Sequence, residues 1–350
     1  MKRTFRRFFL AVLFFLSLIV SLLFPIVSAE AQMASGQALS APAATPYSLR
    51  LADGRSVYFE VIKGQPGRPV YMTFNGLLYK QNYWNQFLTE LNARGASIIR
   101  FSYSADPESL ALTSPSGGTP FSLDGFADEV LAVLDALQMA RVTLLPLSFG
   151  SIAIHFAALH PERVERIVMM APMVMPTDKY DLQGETARTW LESIRAIWGE
   201  DVYNNQWSLL METTVRRLVL EHVRAMTGYV PAAVGENRVL DGAIEKIKAT
   251  RDFDLRNYAK LKLPRIDLIL AKAENPNVLK DQLDFWSKLA PAAKGNFVLI
   301  RDAGHALVAE APRGAAMSAD VLVKADASPG HPFVSIEINK DGSLALTPTR

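Results

Sequence analysis

Ser148 lies in Leu145-Pro146-Leu147-Ser148-Phe149-Gly150-Ser151, where the apolar run Val142-Thr143-Leu144-Leu145 gives way to a helical pattern ending at Leu159-His160-Pro161. A serine on a sharp strand-to-helix turn is held at the end of a sheet with its hydroxyl exposed. Such a turn needs small neighbours two residues either side to relieve crowding. Gly150 and Ser151 supply them on the helix side, whereas Pro146 stands on the strand side where glycine is usual, so the motif reads P-x-S-x-G. A short Ser/Gly turn alone is a weak signal. Its place between a buried strand and a helix is what makes Ser148 a candidate nucleophile.

A serine hydroxyl becomes a nucleophile only beside a general base. His305, in the loop Asp302-Ala303-Gly304-His305 after a late strand, is the candidate for that role. The other histidines have packing or surface roles as their alternatives. His155 and His160 belong to the helix after the turn, His222 to a helical block and His331 to the tail. No two histidines are four residues apart, so no metal site is expected and no cofactor is implied. The chain has no cysteine, which rules out disulfides, thiolate nucleophiles and thiolate metal sites.

The elements that must position these residues alternate. Ser48–Leu51 and Val57–Val61 flank Ala52-Asp53-Gly54-Arg55 as a hairpin, and Val70–Phe74 is a short strand ending at Asn75-Gly76. Helical patterns over about 84–94, 123–139 and 150–159 alternate with strands at 96–101, 142–145 and 164–170. Alternation resumes with a strand at 266–270, a helix near 279–289, a strand at 296–300 and a last helix near 312–324. Fully apolar strands alternating with helices predict a parallel sheet covered on both faces. Between them, residues 178–260 show amphipathic segments and no clear strand, a pattern that reads as an inserted helical lid. Its Trp190, Trp198, Tyr203, Trp207, Met211 and Met226 are helix-packing residues or the walls of an apolar binding space. The tail, 326–350, carries a candidate β-hairpin around Asn339-Lys340-Asp341-Gly342.

Residues 47–320 resemble the α/β-hydrolase superfamily, of the esterase/lipase kind. Asn75-Gly76 stands where that family often has His-Gly, and Trp84 falls where a tryptophan often follows. The stretch from Phe121 to Val142 resembles its helix before the nucleophile strand, and His160–Val168 the stretch after it. Ile300–His305 with Glu310-Ala311-Pro312 resembles the segment bearing its catalytic histidine. The resemblance implies a doubly wound, mostly parallel α/β sheet with core parts at 47–177 and 261–325 around the lid at 178–260.

It also implies an acid placed after the strand preceding the histidine strand. There the chain reads Ala273-Glu274-Asn275-Pro276. Asn275 aligns with the family's aspartate, while Glu274 is the nearest carboxylate and the candidate acid. Asp178 is a second candidate, and a solvated loop glutamate without such a role is the alternative reading of Glu274. The two oxyanion donors implied are the backbone amides of Leu77 and Phe149.

The N-terminus is a separate matter. Lys2, Arg3, Arg6 and Arg7 precede an apolar run from Phe8 to Val27, followed by Val27-Ser28-Ala29, with Ala31 as a second small-residue site. Residues 1–29 therefore read as a secretory signal or an uncleaved signal-anchor, and 30–46 as a linker. The expected location is periplasmic or extracellular, with membrane contact through the N-terminal segment. All four basic residues of that segment are unmatched by acidic ones, so the small positive balance of the precursor belongs to the signal. No nucleic-acid footprint is visible. Two functions follow: a serine hydrolase acting on esters, thioesters or another apolar small molecule, or a weakly catalytic relative that binds an apolar ligand or partner at the cell envelope. Pro146, Asn75 and Asn275 are the departures that favour the second. A cofactor-free lyase or haloperoxidase-like use of the same residues is a nearby variant of the first.

Overall fold

The computed structural model describes residues 42–77, 81–113, 119–175, 242, 245–246, 248–274, 276–324, 335–340 and 343–345. These belong to one compact unit within Leu39–Thr177 and Ala232–Arg350. The N-terminal segment, Asn275, Asp178, His222, His331 and the apolar lid positions Trp190, Trp198, Tyr203, Trp207, Met211 and Met226 lie outside the described residues. Among the described residues no helix is long and apolar enough to cross a membrane.

Among the described residues, ten strands form one sheet in the order β1-β2-β4-β3-β5-β6-β7-β8-β9-β10. They are β1 (Thr45–Arg50), β2 (Ser56–Ile62), β3 (Val70–Phe74), β4 (Ser97–Phe101), β5 (Val142–Pro146) and β6 (Val164–Met170). The rest are β7 (Ile266–Ala271), β8 (Lys294–Ile300), β9 (Ser335–Ile338) and β10 (Leu344–Ala345). From β4 through β9 every pairing is parallel. The β1–β2, β2–β4 and β9–β10 pairings are antiparallel. Every residue of β5 and β7 is buried, as strands covered on both faces must be. The tail does more than fold on itself, because β9 pairs in parallel with β8 and extends the sheet.

Helices α1 (Asn85–Ala93), α2 (Pro107–Leu110), α3 (Leu123–Ala136), α4 (Ala153–Leu159), α5 (Pro276–Lys288), α6 (Leu307–Glu310) and α7 (Pro312–Lys324) connect the strands. Among them α1 packs on α7 and α3 on α4. Helix α3 starts at Ser122, whose hydroxyl accepts from the Gly125 amide. It ends at Ala136, short of the 139 expected from periodicity, because Gln138 takes a left-handed φ of 53°. Gln138 N then bonds Asp135 O and Met139 N bonds Leu134 O, the paired 5→2 and 6→1 bonds of a Schellman cap.

The chain runs from β3 to β4 on one side and continues through β5 on the other. The strand order reverses there, and in wound α/β sheets the crevice at the carboxyl ends of such strands is where ligands bind. Both β3, leading to Asn75-Gly76-Leu77, and β5, leading to Ser148, end at that point.

Candidate active site

The turn that presents Ser148 is held from several sides. Its φ is 52°, a left-handed conformation that costs a non-glycine residue about 1–3 kcal/mol unless the surroundings enforce it. Leu147 N donates to Phe74 O (3.0 Å), Gly150 N to Leu147 O (2.8 Å) and Met173 N to Ser148 O (3.1 Å). The Ser151 hydroxyl also donates to Ser148 O at 2.6 Å and accepts from Met173 N at 3.1 Å. These bonds draw the first turn into a 3₁₀ helix over Ser148–Ile152, and α4 begins only at Ala153 rather than at Gly150. Gly150 has no room for a side chain, since a Cβ there would lie 2.5 Å from Phe74 O.

Pro146 stays in register with Phe74 of β3 and is accommodated by a gap in the β5–β6 ladder. The β5–β6 ladder stops at Leu144 opposite Ile167 and returns only as the single bridge Leu147–Met170. Proline has no amide hydrogen to donate, and it falls in that gap.

His305 lies within hydrogen-bonding reach of both Ser148 and Glu274. His305 Nε2 is 2.7 Å from Ser148 Oγ, and His305 Nδ1 is 2.5 Å from Glu274 Oε2. A carboxylate can only accept, so Nδ1 carries the proton and Nε2 is free to accept from the serine hydroxyl. The loops after β7 and β8 are brought together by bonds that prolong the strand ladder, Lys272 N to Ile300 O (2.9 Å) and Ala273 N to Ala303 O (3.0 Å). That zipper sets Glu274 beside His305. Glu274 is 7% exposed and the His305 side chain 32%.

A second carboxylate, which the sequence pattern gave no role, holds the histidine loop. Glu310 on α6 accepts from Gly304 N (2.8 Å) and from Ala306 N (3.2 Å), bracketing His305. Burial pulls the His305 pKa down, but the charge and hydrogen bond of Glu274, with the Glu310 charge behind them, outweigh it. The imidazole is therefore raised above its ordinary value.

His155 and His160 do not join this group. The ring of His155 lies between Asp124 Oδ1 (2.7 Å) and Tyr258 Oη (2.9 Å), and His160 stands 3.7 Å from Glu162. Among the described residues no cluster of three His, Asp or Glu side chains could hold a metal ion. A cavity of about 310 Å³ is bordered by Leu123, Phe253, Tyr258 and Leu261, and neither Ser148 nor His305 lines it.

Of the two residues expected to supply oxyanion donors, only Phe149 neighbours Ser148 in the chain. Phe149 follows it directly and is buried, its ring set edge-on to Tyr103 at 5.7 Å between centroids. Leu77 is half-buried in the turn after β3. Within that turn Asn75 is 2% exposed, its backbone carbonyl accepts from the Tyr103 hydroxyl at 2.9 Å, and its side-chain Oδ1 has no partner among the described residues. Burial, with the Asp106 and Glu129 charges nearby, keeps the Tyr103 phenol protonated and hence a donor. Trp84 is fully buried against Phe87, a core residue rather than part of the site.

A family model described as alpha/beta hydrolase fold matches residues 73–312, and the chain belongs to that family. No curated protein sequence matches it. Among solved structures it is similar to a hydrolase from Pseudomonas aeruginosa, at 20% identity and a TM-score of 0.53 over 80% of this chain and 99% of that one. It is also similar to the carboxylesterase CesB from Bacillus subtilis, at 16% identity and a TM-score of 0.53 over 85% and 97% of the two chains. A bacterial membrane phospholipase A described as a virulence factor aligns at 16% identity and a TM-score of 0.52, over 91% and 98%. At such identities the likeness is one of fold, and function has to be argued from the site.

Proposed function

We propose that the chain is an exported serine hydrolase that cleaves carboxylic esters or thioesters through an acyl-enzyme on Ser148. The observation that carries this reading is the unbroken run Glu274–His305–Ser148, with contacts of 2.5 and 2.7 Å. Ser148 Oγ attacks the carbonyl carbon while its proton passes to His305 Nε2. Glu274 stabilises the imidazolium so formed and keeps the ring in the right tautomer. The negative oxygen of the tetrahedral intermediate is held by the amides of Leu77 and Phe149. The imidazolium then gives its proton to the leaving alcohol or thiol. Water, deprotonated by the same nitrogen, releases the acid and restores the serine.

This reading is favoured over a non-catalytic binder because two of the sequence departures have local answers. Pro146 sits where no amide donor is used, and a carboxylate from the position before Asn275 reaches the histidine. An apolar acyl or alcohol group is the expected substrate part, and no metal or organic cofactor enters the reaction. Export by the N-terminal segment puts the enzyme in the periplasm or outside the cell, released or membrane-tethered. Turnover of nitrophenyl esters of increasing chain length tests the activity: wild type should hydrolyse them and Ser148→Ala should not. A Ser148→Ala protein with undiminished turnover would overturn it. The size of the mature chain in soluble and membrane fractions tests export and tethering.

A further inference from the structure

Lys246 lies on a segment that approaches the nucleophile from a distant part of the chain, and it is 3% exposed. Its ammonium donates to Asp106 Oδ1 at 2.6 Å and reaches the Leu77 carbonyl at 3.4 Å. It also stands 5.8 Å from the centre of the Phe149 ring and 5.2 Å from that of Tyr103. Distances under about 6 Å allow a cation to be held by a ring face. One buried cation thus touches both residues whose amides are assigned to the oxyanion hole. The segment packs closely: a Cβ on Gly242, four residues earlier, would lie 2.1 Å from Ala105 O.

The cation has a fixed anchor. Asp106 is 5% exposed, and its second oxygen accepts from Tyr103 N at 3.1 Å. Tyr103 in turn donates its hydroxyl to Asn75 O. The loop after β3 is therefore tied at two carbonyls, Asn75 by Tyr103 and Leu77 by Lys246, and both ties lead to Asp106. Burying such an ion pair is not in itself a route to stability, because desolvation of the two charges offsets most of their attraction. Its position suggests a different use. An oxyanion hole accelerates a reaction only insofar as its donors are aimed before charge develops.

We propose that Lys246, anchored by Asp106, is a positioning residue that holds the Leu77 and Phe149 amides aimed at the oxyanion. This rests on the Ser148 hydrolase reading. Its role is distinct from the proton transfer by His305, since the hydrogen bonds of Lys246 go to Asp106 and Leu77 and not to the imidazole or Ser148.

The test uses the full-length exported enzyme and the double variant Lys246→Met/Asp106→Asn, which removes both charges together, beside Lys246→Arg. Wild type must first hydrolyse nitrophenyl butyrate in a Ser148-dependent way; if it does not, the hydrolase reading fails and not the positioning claim alone. With that established, the double variant should lose about 10- to 100-fold in kcat, less than removal of a whole donor, with KM little changed. Inhibition by a trifluoromethyl ketone, whose adduct carries the oxyanion, should weaken in parallel with kcat, and Lys246→Arg should retain most of both. A folded double variant with wild-type kcat and ketone affinity would overturn the proposal while leaving Ser148 in place. A loss confined to KM would overturn it too. Failure of both variants to fold would mark the pair as a stability element and count equally against it.

Discussion

Replacing Glu274 by glutamine keeps the size of the side chain and removes its charge. In the wild type that charge lies against His305 Nδ1, 2.5 Å away, with the carboxylate only 7% exposed. Charge centres about 4 Å apart at an effective dielectric near 20 attract by about 4 kcal/mol, roughly three powers of ten in rate. Because the imidazole is 32% exposed, solvent screening makes that the upper end. Glutamine can also donate to Nδ1, which would put the proton on Nε2 and block acceptance from Ser148. The expected result for Glu274→Gln is thus a fall in kcat of about 10²- to 10³-fold.

A second signature separates loss of charge from loss of shape. Glu274 is the main group raising the His305 pKa against burial, and only Glu310 would remain to oppose it. A general base works only when neutral, so kcat/KM falls on the acid side as His305 gains its proton. In wild type that limb should lie above the ordinary histidine value, and in Glu274→Gln it should move to lower pH. The assay is kcat/KM for nitrophenyl butyrate between about pH 5 and 9. A variant within about threefold of wild type in kcat, with an unmoved acid limb, would refute the role given to Glu274. Collapse of Asp178→Asn in the same assay would then transfer it there.

Other outcomes follow from the same geometry. Gly150→Ala forces a methyl against Phe74 O and should cost about 1–3 kcal/mol, read as a lower thermal midpoint; an unchanged midpoint would mean that the end of β3 can recede. Glu310→Gln keeps one acceptor oxygen for two amides, so kcat should fall about 10-fold with KM little changed; an unaltered kcat would show the His305 loop holding itself. Burial of Glu129, only partly relieved by the Ser104 hydrogen bonds and the Arg55 charge, pushes its carboxyl up to about 7. The native state then binds more protons than the unfolded chain between about pH 4.5 and 7, so stability should fall as pH rises through that window, by at most about 3 kcal/mol. Urea denaturation across that range checks it. A Glu129→Gln protein showing the same slope would place the titrating group elsewhere.

Much of the sheet was legible because its strands are short apolar runs between helical periods. Val142–Leu145, Val164–Met170 and Ile266–Leu270 lie where periodicity puts them. Helix ends were less so: the cap at Gln138 uses a residue that carries no glycine-like signal. Ser148 and His305 could be singled out because each lies in a loop just after a strand in a local pattern, and Glu274 only through the family resemblance that places an acid before Pro276. Lys246, Asp106 and Tyr103 could not. The Lys246–Asp106 pair spans 140 residues, and a lone lysine in a helical stretch looks like a solvated surface charge. Glu310 was within reach, since its amide partners lie four and six residues before it, the range in which side chains commonly tie loops to a following helix.

The central claim is that Ser148 is an activated nucleophile, and covalent capture tests it most directly. The purified wild-type protein is treated with a fluorophosphonate, digested, and the modified peptide sequenced by mass spectrometry. A single phosphonylated residue at Ser148, formed quickly in wild type, more slowly in Glu274→Gln and not at all in Ser148→Ala, is the result expected. A folded wild-type protein that takes no label, or takes it on another serine, would contradict the account.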